Sequence, residues 1–151
     1  MSATNAISPN LASSTSPSVA PPSNRLRSSG AVGAGLLFIF TVTTAIDILL
    51  HQTGIFPPLG APAMSHGLFG LAFAYRFVID VAGCALSARL APRNPMRHAL
   101  ILGGIGLLLS IVGAITMWDA SRAWYPIALA VSALPCAWLG GRFIERRRSR
   151  R

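Results

Sequence analysis

Four ionisable side chains stand inside or against apolar runs: Asp47, His51, Arg76 and Asp80. In water such groups need no explanation. At the centre of a bilayer each charge costs about 2.5–3.5 kcal/mol on insertion scales, so a partner or a task must offset it. At 100° per residue, Thr44, Asp47 and His51 fall within about 60° on one helix face. Arg76, Asp80, Gly83 and Ser87 share a similar arc on the next helix. Two such faces on neighbouring helices are expected to turn towards each other and away from lipid. Asp47 and Arg76 then form an interhelix ion pair. Asp80, four residues after Arg76, is expected to pair with it along the same helix. Two readings stay open. One is an ion-pair network that fixes helix register and orientation. The other is a proton or ligand site lined by Asp47, His51, Arg76 and Asp80. In that site His51 changes charge near neutral pH, and the carboxylates could do acid–base work.

The elements that must hold these residues follow from composition. Of 151 residues, 52% are hydrophobic and only 11% charged. Soluble domains carry about 25% charged residues, so the chain has too few to cover a water-facing surface. Four apolar runs are evident, at about 30–50, 67–88, 98–118 and 125–143. Each is about 19–22 residues long, enough for a helix to cross a hydrocarbon layer of about 30 Å. The expected fold is all-α, an integral membrane bundle of four antiparallel transmembrane helices at 29–144. A Ser/Pro/Ala-rich tail at 1–28 has too little apolar area to offset ordering entropy and is expected to be disordered. Residues 145–151 are expected to form a basic tail. The first run is not expected to be a cleaved leader. It is too long and holds Asp47, although Ala61-Pro62-Ala63 faintly resembles a cleavage site.

Local signals agree with these ends. Gly54 and Pro57-Pro58 stop the first helix. Ser65 is expected to cap the second, and Pro92 to end it. Asn94 is expected to cap the third, with Pro95 at its first position. Pro126 opens the fourth, and Pro135 is expected to kink it. Small residues recur every four positions at Gly106, Ser110 and Ala114, and again at Ala128, Ser132, Cys136 and Gly140. Such spacing forms a groove in which two backbones approach closely. Cys84 and Cys136 have neither C-x-x-C spacing nor a nearby histidine, and read as packing residues.

Arginine placement sets orientation. There are 13 basic residues, all arginine, and a net charge of +9. The charge does not point to nucleic acid, because the arginines flank apolar runs. The N-terminal side has Arg25 and Arg27. The loop after the second run has Arg89, Arg93 and Arg97, and the C-terminal end has Arg142, Arg146, Arg147, Arg148, Arg150 and Arg151. The opposite side has Arg122 alone, beside the belt residues Trp118, Trp124 and Tyr125. Both termini are therefore expected on the cytoplasmic side of a plasma membrane. Arg89, Arg93 and Arg97 lie beside a helix start, where an anionic phospholipid headgroup is the expected partner. The C-terminal arginines would attract anionic lipid in the same way. His51 and His66 lack a third ligand, so no metal is expected. No phosphate loop, zinc motif or nucleophile–base spacing appears, so neither a cofactor nor catalysis is expected. A structural or accessory role follows, through helix–helix contacts with a second copy or a membrane partner. The alternative is a small proton-linked transporter or ligand-binding protein.

Three strings resemble those of small, uncharacterised four-span bacterial inner-membrane proteins. They are Asp47-Ile48-Leu49-Leu50-His51-x-Thr53-Gly54-x-Phe56-Pro57-Pro58, the pair Tyr75-Arg76, and Ala88-Arg89-Leu90-Ala91-Pro92-x-x-Pro95-Met96-x-His98-Ala99. The resemblance covers about residues 30–145. It implies a bacterial inner-membrane location and no particular activity.

Overall fold

A computed structural model of the chain describes residues 24–58, 64–116 and 124–150. The expected tail at 1–23, the belt residue Trp118, and Arg122 and Arg151 lie outside them. Four helices follow one another: α1 (Asn24–Gln52), α2 (His66–Leu90), α3 (Pro95–Thr116) and α4 (Trp124–Ser149). All four are long and apolar enough to cross a membrane. Their outer faces carry large bare hydrophobics such as Leu37, Phe40, Val78, Ile115 and Val131. A soluble monomer does not leave apolar area of that extent in water. The chain has the build of a multi-pass membrane protein.

Two boundaries depart from expectation. Residues 24–28 belong to α1 rather than to a tail, since Arg25, Leu26 and Arg27 are good helix formers. Residues 145–149 likewise extend α4 instead of forming a separate tail. There the run of Glu and Arg has helix propensity of its own. α4 also continues unbroken through Pro135, whose ring lies on an exposed face.

Helix ends show how the local sequence works. Gly54 takes the left-handed conformation, φ 73°, just past α1. The chain turns back there, and the Phe56 N–H donates to the Leu50 carbonyl at 2.9 Å. Ser65 caps α2, its hydroxyl accepting from the Leu68 N–H at 3.4 Å. Asn94 acts differently from expectation. It is left-handed, φ 50°, a conformation asparagine tolerates better than most residues. Its carbonyl, not its side chain, receives the Arg97 N–H and the His98 Nδ1–H, each at 3.1 Å.

The bundle is uneven. α2 packs against α1, α3 and α4, and α3 packs broadly on α4. No contact joins α1 to α4 among the described residues. The compact part is therefore a triangle of α2, α3 and α4, with α1 laid along one edge. Only 6% of the most apolar stretch of α1 is buried, against 33% for α4.

Small residues bring the backbones together. At the α1–α2 crossing, a Cβ on Gly35 would lie 2.8 Å from the Gly83 carbonyl oxygen. On α4 two adjacent stripes serve two neighbours. Ser132, Cys136 and Gly140 are buried, and a Cβ on Gly140 would stand 2.8 Å from the Ala85 N and the Val81 O of α2. Ala133, Ala137 and Gly141 are also buried, and Gly103, Ala99 and Met96 of α3 fit against them. On α3 the close approach falls nearer the helix start than the expected Gly106. Gly106 has open space where a Cβ would be, and Ala99 with Gly103 makes the contact instead. Close approach gives dispersion contacts that lipid tails cannot match.

Candidate functional site

The intramembrane charges meet between α1 and α2. Asp47 lies about one and a half turns before the end of α1, and Arg76 about 15 Å along α2. Along the antiparallel pair Arg76 starts roughly one and a half turns deeper than Asp47, a gap its long side chain reaches across. Arg76 Nη2 donates to Asp47 Oδ2 at 2.5 Å. The Tyr75 hydroxyl donates to the other oxygen, Oδ1. Both oxygens of Asp47 are thus taken by consecutive residues of α2. Tyr75 points towards Asp47 alongside its neighbour, and the Arg76 guanidinium carbon lies 5.9 Å from the centre of its ring. The geometry is charge-assisted, the stronger class of hydrogen bond. Arg76 Nε is buried and has no partner.

The other expected members fall elsewhere. Asp80 is half-buried and makes no ion pair or hydrogen bond among the described residues, so the expected Arg76–Asp80 pairing does not form. Arg76 directs one N–H at Asp47 and none at Asp80. His51 faces its own helix. Its Nδ1–H donates to the Asp47 carbonyl at 2.8 Å, and its ring meets Phe56 edge-on at 5.5 Å. Four residues expected in one cluster therefore divide into a bonded pair, a neighbour and a helix-end contact.

Two tyrosines and a tryptophan complete this end. Phe69 of α2 stands 5.0 Å from Tyr125 of α4, ring to ring. Trp124 Nε1–H donates to His66 Nδ1 at 3.2 Å. Sequence reading placed Tyr75 only within a motif and Tyr125 only in an aromatic belt. The available signal was Tyr75 next to an intramembrane arginine, since a buried phenol seeks a partner. Among the described residues no three of His, Cys, Asp and Glu stand together to hold a metal ion. Cys84 and Cys136 are free and buried, and the Cys136 thiol points at the Phe77 carbonyl, 3.8 Å away.

Arg89, Arg93 and Arg97 are exposed at the opposite end. α4 ties itself to this end of α2. Arg148 Nη2 donates to the carbonyls of Arg89 and Ala91, each at 3.1 Å.

No protein-family model, curated protein or solved structure matches the chain.

Proposed function

We propose that the chain is a structural or accessory subunit of a bacterial inner membrane, with both termini cytoplasmic, acting through helix–helix contacts. One observation carries this reading. The charged pair inside the span is consumed internally, because Asp47 gives both oxygens to Tyr75 and Arg76. A carboxylate bonded in this way locks α1 against α2. α1 meanwhile keeps most of its surface outside the bundle, available to a second copy or a partner helix. The arginine-rich end supports the orientation, and Arg89, Arg93 and Arg97 supply diffuse positive charge to anionic headgroups there.

The test has two parts. Ile55→Cys and Ser149→Cys are labelled in intact cells with a membrane-impermeant maleimide. Labelling of position 55 alone is expected, and labelling of position 149 overturns the orientation. Native mass spectrometry in mild detergent then reads assembly. Asp47→Asn is expected to leave the oligomer or complex in place. Asp80 favours the second reading, a proton-linked transporter, because its carboxylate sits within a span without a partner. That reading requires proton flux into vesicles that Asp80→Asn abolishes.

A further inference from the structure

The α3–α4 end of the bundle carries a shallow concavity of about 660 Å³. Pro95 of α3 walls it on one side. Arg142, Arg146, Arg148, Ser149 and Arg150 of α4 line the other, with Glu145 the one acid among them. Arg142, Arg146 and Arg150 are spaced four residues apart and form a single ridge. Like charges at that spacing repel and weaken a helix.

The other arginines of this segment have intramolecular tasks. Arg148 binds two carbonyls of the α2–α3 connection. Arg147 lies over the Phe143 ring, 4.4 Å from its centre. Arg142, Arg146 and Arg150 make no hydrogen bond or ion pair among the described residues. Of the four arginines lining the concavity, Arg148 is occupied and Arg142, Arg146 and Arg150 have no partner among the described residues, so an anion seated there turns their repulsion into attraction.

Depth selects the anion. Arg142 follows Gly140 and Gly141 at the end of the apolar run, and Arg146 stands about 6 Å further along the axis. That interval matches the headgroup layer just outside the hydrocarbon core. One turn deeper on the same side, Leu139 and Trp138 are bare, 41% and 52% exposed. Guanidinium forks at phosphate depth above an exposed apolar track match a phospholipid, with its phosphodiester above and its acyl chain below.

We propose that Arg142 and Arg146, backed by Arg150, hold the phosphate of one anionic phospholipid whose acyl chain runs along Leu139 and Trp138. The proposal rests on α4 crossing the membrane and is independent of the accessory role. In neutral detergent no charged surface exists for diffuse arginines to meet, so only a built site retains a lipid. The full-length protein, delipidated in such a detergent, is titrated with phosphatidylglycerol, phosphatidylcholine or inorganic phosphate, and bound adducts are counted by native mass spectrometry.

The expected result is one tightly held phosphatidylglycerol, with phosphatidylcholine and inorganic phosphate much weaker. Each arginine contributes about fivefold, so Arg142→Gln/Arg146→Gln lowers affinity about twenty-five-fold. Arg25→Gln/Arg27→Gln, which removes equal charge from the same end, leaves it within about twofold. Equal loss in both pairs overturns the site, as does equal binding of phosphatidylcholine. Binding of inorganic phosphate as tight as that of the lipid overturns the lipid as occupant. A salt titration of the unaltered protein gives a reading independent of the variants' folding. Phosphatidylglycerol binding must fall with salt, and a salt-insensitive adduct counts against the arginines.

Discussion

Asp47 is the residue on which the α1–α2 contact turns. Removing it leaves the Arg76 guanidinium without its bonded carboxylate, while removing both charges leaves no broken ion pair. Breaking such a pair costs more than deleting it. Asp47→Ala is therefore expected to lower unfolding free energy in mixed micelles by about 2–3 kcal/mol. Asp47→Leu/Arg76→Met should recover most of that. Tyr75→Phe removes one hydrogen bond from a carboxylate that keeps its arginine, and should cost about 1 kcal/mol. A charge-free double variant as unstable as Asp47→Ala would show that the pair does not carry the contact. The pair could be read from sequence because two opposite charges sat in consecutive antiparallel runs, within a turn or two in depth, a gap the arginine side chain can span. Tyr75 could not be given its partner, because its direction depends on the rotation of α2 about its own axis. Asp80 was assigned to Arg76 by spacing alone. Spacing cannot say which of two carboxylates wins one guanidinium, and the interhelix geometry decided for Asp47.

At the scale of the element, α4 has one stripe for α2 and another for α3. Gly140 sits on the first, where a Cβ would press on backbone atoms that cannot rotate aside. Gly140→Val is expected to destabilise the bundle by about 1–3 kcal/mol, the usual cost of overpacking. Gly106→Ala and Gly113→Ala, where a Cβ meets open space, should lie within about 0.5 kcal/mol of the parent. Thermal unfolding in detergent, followed by circular dichroism, separates the two classes, and equal losses at Gly140 and Gly106 would refute the assignment of faces. The four-residue spacing of small residues was visible in the sequence on both helices. Which height on α3 meets α4 most closely was not, because Ala99, Gly103, Gly106 and Ser110 share one face and only the placement of the neighbouring helix selects among them. Helix ends divided in the same way. Gly54 and Ser65 did what their residue types favour. Asn94 used its backbone carbonyl, since its left-handed φ already turns the chain into α3.

For the whole molecule, the uneven arrangement means that α1 is an addition to a three-helix body. Four spans and their order followed from hydropathy, but a sequence pattern carries no direct record of which helices are diagonal. α1 touches α2 and, less extensively, α3, and misses α4. It is fastened at two places, the Gly35–Gly83 crossing and the Asp47–Tyr75–Arg76 bonds. A span inserted independently can dock afterwards through packing and polar contacts. At 29 residues α1 is long enough to insert alone. A chain divided between Pro58 and Met64 is thus expected to yield two fragments that reassociate in proteoliposomes, read by energy transfer between fluorophores on α1 and α4. Asp47→Leu in the first fragment strands Arg76 in the second, and Gly83→Leu separates the helices at the crossing. Each should weaken reassociation at least about tenfold, since about 1.4 kcal/mol corresponds to that factor. Both together should weaken it about a hundredfold, leaving the smaller α1–α3 contact as the remaining attachment. Unchanged reassociation with both substitutions would mean that α1 is held by the connection through residues 59–63, and that its contacts with α2 follow from tethering.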